Sequence, residues 1–183
     1  MKIIIVLIRS LFLFSIVAFL IQCNSSSAGK IITNASNDEY QCIPCGYDCD
    51  DKIYTERGTC AHCQMELVKM NTINFKNIQT SEICKYINDH PGIILLDVRT
   101  KEEFEGNAKQ DFGTLKNAIN IPIQELKSKL TTLNPYKDQE IIVYCSHSHR
   151  SPQASYLLSQ NGFKNITNLS GGMSELKDTS CKK

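Results

Sequence analysis

The sequence predicts an α/β fold, in which a parallel sheet flanked by helices follows a small cysteine-rich module of the zinc-ribbon type. From Asn71 onward, short apolar runs alternate with amphipathic segments, the pattern of strands and helices in a parallel sheet. Five of the nine cysteines lie between Tyr40 and Val68, in a segment too poor in apolar side chains to fold on burial alone. The 183 residues, with 42% hydrophobic and 21% charged side chains, suffice for one substantial core and an accessory module.

The charge of the chain argues against one class of partner. The formal net charge is only +1, and no run of like charges occurs. Proteins that bind nucleic acid place clusters of Lys and Arg against the phosphates. We therefore expect no nucleic-acid partner.

Residues 1–22 have the composition of a targeting segment. Two basic residues precede an apolar run from Leu11 to Ile21, as in a secretory signal peptide. The run ends in LIQC, which resembles the lipobox of bacterial lipoproteins and marks Cys23 for lipidation. A retained membrane anchor formed by residues 3–21 is the alternative. Both interpretations place the rest of the chain outside the cytoplasm and attached to a membrane, as in a bacterial envelope lipoprotein.

The next segment, residues 23–39, is rich in Ser, Asn and small residues and shows little hydrophobic periodicity. Segments of this composition form flexible tethers. We expect this one to hold the folded part of the chain away from a membrane surface.

The cysteine-rich module, predicted at residues 40–69, contains two C-x-x-C pairs separated by 14 residues. Each C-x-x-C turn points two thiolates at one ion, and two such turns complete a tetrahedral Zn²⁺ site. Two disulfides or an exchangeable metal would also staple the segment, since an extracytoplasmic compartment oxidises thiols. Cys49 lies between the pairs as a surplus thiol. The predicted ligands of a structural Zn²⁺ are Cys42, Cys45, Cys60 and Cys63.

The module also resembles the small heavy-metal-binding domains of bacterial metal-efflux proteins. The similarity rests on an aromatic-x-Cys start and on GTCAHCQMELV, which is close to that family's G-x-C-x-x-C-x-M-x-L ending. Where the family carries Met and His, this chain has CIPC, so that Cys45 replaces a softer or imidazole ligand. This favours a closed four-cysteine structural site over a transient carrier.

The larger domain, predicted at residues 70–177, begins with NIQTSEICKYINDHPG, which is typical of a helix with Ser and Thr capping candidates and a Pro-Gly end. Cys84 falls in the apolar stripe of this helix and is predicted to be a core residue. GIILLDV and AINIP predict two strands. IQELKSKLTTL predicts an amphipathic helix after the second of them.

The rest of the domain continues the alternation. EIIVYC predicts a third strand, SPQASYLLSQNG a helix that ends at Gly162, and NITNLSGGM a fourth strand and a turn. Residues 178–183 form a polar tail, in which Cys181 is either a resolving thiol or, as we expect, a bystander. Parallel sheets bind ligands at the carboxyl ends of their strands. Cys145, at the end of the third strand, is therefore the main candidate for the functional site.

Residues 73–176 resemble a single rhodanese domain. The motifs that carry the resemblance are LLDVRTKEEFEG, AINIP, IIVYCSHSHRSPQASYLL and GFKNITNLSGGM. The resemblance implies that Cys145 is the sulfur-accepting nucleophile of a sulfurtransferase and that Arg150 closes its loop. It further implies that Asp97 and Arg99 are structural and loop-supporting, and that catalysis needs neither a metal nor an organic cofactor. The implied substrate-binding loop consists of Ser146, His147, Ser148, His149, Arg150 and Ser151.

The expected chemistry depends on where Cys145 is placed. A loop between a strand end and a helix start turns backbone N–H groups toward one point, so that a cysteine at its first position ionises readily. The thiolate can attack the outer sulfur of a small donor such as thiosulfate, and a thiol or protein acceptor then removes that sulfur. Four residues separate Cys145 from Arg150, a length that resembles sulfurtransferases, whereas related phosphatases and arsenate reductases have five.

Three features depart from the family's pattern. The loop usually contains a glycine, whereas this one has Ser148 flanked by His147 and His149. Thr114 replaces a histidine before the second strand, and the insertion NAKQDFG is expected to reshape the rim of the site. The two loop histidines either favour the thiolate and attract anionic donors, or simply point to solvent.

Two other functions fit the same motifs. The domain can be a binding module without turnover, in which the cysteine-rich segment binds heavy metal. It can also be a thiol redox protein, in which Cys145 cycles through a mixed disulfide with Cys181 or with a partner. The intact nucleophile and Arg150 favour the sulfurtransferase.

Overall fold

A computed structural model of the chain describes residues 38–183. The predicted signal segment, Cys23 and nearly all of the predicted tether lie outside the described residues. Among the residues that are described, no helix is long and apolar enough to cross a membrane.

The cysteine-rich module is built on a small antiparallel sheet. Its strands are β1 (Tyr40–Cys42), β2 (Ile53–Tyr54) and β3 (Leu67–Lys69), in the order β2-β1-β3. A 3-10 helix, Asp48–Asp51, lies between β1 and β2. The module's own core consists largely of sulfur-bearing and aliphatic side chains, four of them buried cysteines, and partly buried Cys63 packs against it. Sulfur chemistry rather than a large apolar core therefore holds this part of the chain together.

The larger domain contains a five-stranded sheet in the order β4-β8-β7-β5-β6. Every pair in it is parallel, which confirms the predicted class of fold. The edge strand β4 is absent from the sequence prediction, because it is three residues long and two of them are exposed polar side chains. The strands are β4 (Lys76–Ile78), β5 (Ile94–Asp97), β6 (Ile119–Asn120), β7 (Glu140–Tyr144) and β8 (Asn165–Leu169).

Four α-helices and two further 3-10 helices connect the strands. The predicted amphipathic helix after β6 is interrupted, because the Ser128 hydroxyl bonds to the Glu125 carbonyl and Pro135 disfavours the α conformation before it. The helices are α1 (Ile83–Asp89), α2 (Lys101–Phe104), α3 (Ile123–Leu126) and α4 (Arg150–Gln160), with 3-10 helices at Met70–Thr72 and Leu130–Tyr136.

The central strand β7 serves two cores, because side chains alternate across a strand. Ile141 and Val143 pack with α3, α4 and Cys145 on one face of the sheet. Ile142 and Tyr144 pack with α1 and the C-terminal residues on the other face. The sheet is thus covered on both sides, as the continuous apolar run of β7 predicts.

The C-terminal tail differs from its prediction. Cys181 forms a disulfide with Cys84 across 97 residues of sequence, so it is neither a bystander nor a free resolving thiol. Cys84 is buried, as predicted, but as half of this bridge. The tail also pairs with the rim loop, since the Lys183 N–H donates to the Thr114 carbonyl at 2.8 Å. Only tertiary packing brings these segments together, which is why spacing alone gave no sign of the bond.

Candidate active site and cysteine cluster

Cys145 directly follows the central strand β7, at the carboxyl edge of the sheet. Its side chain is buried, with 1% of its surface exposed. The sulfur lies 3.4 Å from the hydroxyl oxygen of Ser151, in the first turn of α4. The thiol therefore lies between a strand end and a helix start, the position in which a nucleophile meets the positive end of the helix dipole.

The loop between Cys145 and α4 contains the conformation that a glycine would ordinarily supply. Ser148 has a φ of +51°, in the left-handed region. The next residue, His149, is right-handed, with a φ of −111° and a ψ of −45°. Adjacent left- and right-handed residues form the backbone nest that turns successive N–H groups toward an anion. A loop without glycine has thus kept the turn required for an anion cradle.

The hydroxyl of Ser148 both donates and accepts a hydrogen bond. Its Oγ donates to the carbonyl oxygen of Cys45 at 2.7 Å, within a buried environment. The amide nitrogen of Asn168 donates to the same Oγ at 3.4 Å, and to Oδ1 of Asn77 at 2.8 Å. The loop is therefore attached both to the end of β8 and to the cysteine-rich module.

Glu103 clamps the two ends of the loop. Its carboxylate accepts two hydrogen bonds from the Arg150 guanidinium, at 2.6 and 2.7 Å, and one from the Ser146 hydroxyl at 2.7 Å. These bonds, with Arg150 the main cause, lower the pKa of Glu103 from its ordinary 4.5 to about 2. The sequence prediction missed Glu103 as a site residue. Its signal was the capping box with Thr100, which fixes the carboxylate at the start of α2.

We expect Glu103→Gln to destabilise the protein by about 1–2 kcal/mol at neutral pH, because it leaves half-buried Arg150 without its charge partner. A group whose pKa is depressed stabilises the fold above its ordinary pKa and loses that contribution as pH falls through its folded pKa. The difference in unfolding free energy between wild type and Glu103→Gln should therefore shrink between pH 4.5 and about 2. Denaturant unfolding at several pH values measures it, and a pH-independent difference would contradict the charge pairing.

Asp97 and Arg99 form a buried ion pair beneath the rim of the site. Nε and Nη2 of Arg99 donate to the Asp97 carboxylate, the closest contact being 2.7 Å. Nη2 also donates to the Gly113 carbonyl at 3.0 Å and to Thr114 Oγ1 at 3.1 Å. Thr114 in turn donates to the Phe104 carbonyl at 2.8 Å. The pair supports the rim loop in this way, and Thr114 occupies the histidine position as part of that network.

The inserted segment does reach the rim. The ring of Phe112, within the insertion, packs edge-on against the His147 ring, with 5.2 Å between ring centroids. His147 and His149 are both exposed, whereas Cys145 is buried. Among the described residues, the groups of side chains that could hold a metal ion include none of these three.

Two backbone hydrogen bonds hold the start of the loop from behind. The N–H groups of Met173 and Ser174 donate to the carbonyls of Cys145 and Ser146, both at 2.9 Å. Gly172 makes this approach possible, because a Cβ there would lie 2.6 Å from the Ser146 carbonyl oxygen. The late glycine turn is thus fixed against the backbone of Cys145 and Ser146.

The cysteine cluster differs by one ligand from the predicted set. Four thiol sulfurs lie within 4.8 Å of one another, a separation compatible with the spacing of about 3.8 Å between sulfurs around a tetrahedral Zn²⁺. Cys45 belongs instead to an overlapping group with Cys42, Cys49 and Asp50. Its Sγ lies 3.6 Å from Cys49 Sγ and 3.4 Å from Asp50 Oδ1. The four clustered thiols belong to Cys42, Cys49, Cys60 and Cys63.

The second C-x-x-C turn favours the thiolate form. Gln64 has a φ of +60°, and the chain reverses through a hydrogen bond of 2.9 Å from its N–H to the Cys60 carbonyl. Burial opposes ionisation of Cys60, but the N–H groups of Cys63 and His62 outweigh it and lower its pKa to about 7. Burial raises the pKa of Cys42 and of Cys45. A cluster with one ready thiolate and closely spaced partner thiols can hold a metal ion.

An open cavity of about 420 Å³ lies between the module and the Cys145 loop. Its lining contains the imidazoles of His62, His147 and His149 and no carboxylate. An anion would therefore meet no like charge among the residues that line this cavity. The remaining lining residues are Cys45, Tyr47, Cys63, Gln64 and Ser148.

The fold and the Cys145 loop together define a rhodanese-type protein. The rhodanese-like domain family matches residues 80–179, more than half of the chain, and the chain belongs to this family.

Several relatives share this domain. The thiosulfate sulfurtransferase PspE of Escherichia coli (strain K12) is 34% identical over 81 residues, which cover 44% of this chain and 71% of that protein. The tRNA uridine(34) hydroxylase of Cronobacter sakazakii is 30% identical over 91 residues, or 48% of this chain but only 24% of that protein. A crystal structure of SSP1007 from Staphylococcus saprophyticus superposes with a TM-score of 0.50 at 28% identity, covering 60% of this chain and 100% of that one.

Proposed function

We propose that this protein is a sulfurtransferase that passes a sulfane sulfur through a persulfide on Cys145. The observation that carries the proposal is the Cys145 loop itself. A buried thiol at the end of the central strand is followed, after four residues, by a clamped Arg150, with a nest conformation between them. This loop suits a nucleophile and the small anionic group that it acquires.

The first half-reaction loads the enzyme. The Cys145 thiolate attacks the outer sulfur of a thiosulfate-like donor, forming one S–S bond as the donor's own S–S bond breaks. Sulfite leaves with the electron pair of that bond. The persulfide anion that remains is stabilised by the loop N–H groups and by the positive end of α4. Arg150, held by Glu103, acts by closing the loop rather than by reaching the donor.

The second half-reaction unloads it. A thiolate of a small or protein acceptor attacks the terminal sulfur of the persulfide, and Cys145 leaves as the thiolate with which the cycle began. No electrons are gained or lost by the enzyme over the cycle, so the chain's own residues suffice. Incubation with thiosulfate followed by intact mass measurement tests the proposal, since loading adds one sulfur atom.

The relatives support this activity over the alternatives. PspE is named a thiosulfate sulfurtransferase, and most of its length is matched here. The tRNA uridine(34) hydroxylase is matched over only about a quarter of its length, and the net charge of +1 offers no cluster for phosphates. A redox cycle between Cys145 and Cys181 lacks its partner, because Cys181 is bonded to Cys84.

We further propose that the protein works outside the cytoplasm, held to a membrane through Cys23 or the N-terminal apolar segment. The disulfide between Cys84 and Cys181 supports this location, since such bonds persist in oxidising compartments. Metabolic labelling with a lipid precursor tests the anchor. Label that is retained in Cys23→Ser would contradict lipidation at that residue.

We propose a structural Zn²⁺ for the cysteine-rich module. Four protein thiols would complete its coordination and leave no open position, so the ion would staple the module rather than take part in sulfur transfer. The ligands would be Cys42, Cys49, Cys60 and Cys63.

The two possible ligand sets predict opposite results. We expect Cys49→Ser to lose most of the zinc that the wild-type protein retains after purification, whereas Cys45→Ser keeps it, because Cys45 lies outside the group of four thiols. Elemental analysis of the two matched variants measures this. Zinc lost from Cys45→Ser and kept in Cys49→Ser would restore the pairing predicted from the C-x-x-C spacing.

A further inference from the structure

The unusual residue of the catalytic loop is Ser148. Its φ of +51° lies in a region where a Cβ is crowded and where glycine alone is comfortable. Side chains in such conformations persist where the surrounding structure determines them. The question is therefore which contacts hold Ser148 in the conformation that the cradle needs.

The contacts come from the cysteine-rich module and from β8. Ser148 is buried, with 1% of its surface exposed. Its hydroxyl donates to the Cys45 carbonyl at 2.7 Å and accepts from Asn168 at 3.4 Å. The hydroxyl is thus committed to the module and to the end of β8.

The Cys45 carbonyl, which accepts this hydrogen bond, belongs to a segment that is itself held in place. Asp50 accepts the N–H groups of Cys45 and Gly46, at 3.0 and 2.7 Å. Gly46 lies so close to Ser170 that a Cβ would come within 2.4 Å of its Oγ. Tyr47 donates to Oε1 of Glu175 at 3.4 Å. The segment from Cys45 to Tyr47 is therefore docked on the larger domain beside the catalytic loop.

We propose that the hydrogen bond from Ser148 to Cys45 positions the Cys145 loop. The cysteine-rich module would thus hold Ser148 in a backbone conformation that a glycine adopts freely. Ser148 and Cys45 act as positioning residues, through the backbone of the nest. The inference deepens the proposed sulfur transfer and rests on it for its functional meaning. It makes the module part of the catalytic apparatus and not only a stapled appendage.

The first test compares two substitutions at one position in the full chain. Ser148→Ala keeps the crowded Cβ and removes the hydroxyl, so we expect thiosulfate-dependent sulfur uptake to fall by about tenfold. Ser148→Gly also removes the hydroxyl but adopts a positive φ freely, so its loss should be smaller, about threefold. Hydrogen exchange of the peptide that covers residues 145–150 should rise in Ser148→Ala, while a peptide across β5 stays unchanged.

The second test perturbs the module's side of the contact. Gly46→Ala pushes the Cys45 segment away from Ser170, and we expect about a tenfold loss of sulfur uptake with faster exchange in the loop. In the Ser148→Gly background the same change should cost less than about twofold, because the link to Cys45 is already absent. Gly92→Ala is the matched control, since Gly92 also has a positive φ, +111°, but nothing within 4 Å.

Sulfur uptake and hydrogen exchange of the loop are separate measurements, so the positioning contact and the proposed function can fail independently. Equal sulfur uptake and equal loop exchange in Ser148→Ala and wild type would overturn the positioning role. An equal effect of Gly46→Ala in both backgrounds, with zinc content unchanged, would overturn it too. If wild type takes up no sulfur, the proposed function fails, whereas coupled exchange between Gly46 and Ser148 would still support the positioning contact.

Discussion

Cys145→Ser is expected to abolish sulfur uptake from thiosulfate, with the rate of loading falling by more than about a thousandfold. The hydroxyl of serine is far less ionised than a thiol near neutral pH and cannot accept sulfur to form a persulfide. The substitution removes only one polarisable atom from a site in which Cys145 is 1% exposed. Intact mass after incubation with thiosulfate measures the result, as one added sulfur in wild type and none in the variant.

The controls must distinguish Cys145 from the seven other cysteines that the structure describes, five free thiols and the two half-cystines of the disulfide. They must also show that the variant is folded. Peptide mapping locates the added sulfur, and treatment with cyanide should remove it. An unchanged melting temperature shows that the core on that face of the sheet is intact. Sulfur that is loaded equally on Cys145→Ser would place the nucleophile elsewhere, and no adduct on wild type with any sulfane donor would favour a binding module.

Cys181→Ser is expected to destabilise the folded state by about 4 kcal/mol, because the bond to Cys84 closes a loop of 97 residues in the unfolded chain. For a chain of this size the melting temperature should fall by about 10 °C. Both half-cystines are buried in the core that contains α1 and the C-terminal residues. The tail would also lose its hold on the rim loop at Thr114. Thermal unfolding followed by circular dichroism measures the loss.

A reductant provides the matched comparison. It should lower the melting temperature of wild type to about that of Cys181→Ser. The melting temperature of the Cys84→Ser/Cys181→Ser double variant should change much less. Because both proteins keep the same cysteine cluster, any effect of the reductant on bound metal appears in both and cancels. An equal shift in the two proteins would mean that the bond does not form in solution.

The parallel fold and the candidate nucleophile follow from local sequence. The apolar runs of β5 and β7 are continuous because both faces of those strands are covered, and helical periodicity marks the segments between them. Cys145 is identifiable because it stands directly after such a run and before a helix start. The spacing to Arg150 is also local. These features need no knowledge of which distant segments meet.

Tertiary structure decided which thiols group together and which contacts hold the Cys145 loop. The C-x-x-C spacing favoured Cys45, but the short 3-10 helix after β1 turns Cys49 toward the other thiols instead. Glu103 became a site residue because α2 brings its carboxylate to Arg150, 47 residues away in sequence. Such contacts are set by packing, and no period in the sequence encodes them.

The Cys145 loop, which has no glycine, shows most clearly what the sequence and the tertiary structure each decide. The sequence determined that Ser148 stands in the Cys145 loop, but it left the geometry of that loop open. The tertiary structure decided it, by placing the Cys45 carbonyl 2.7 Å from the Ser148 hydroxyl. A positive φ at a residue with a Cβ persists where the surrounding structure determines it, and here the contacts come from Cys45, 103 positions earlier in the chain, and from Asn168, 20 positions later. Local sequence therefore identified the candidate nucleophile, whereas packing between the two parts of the chain determined the conformation of its loop.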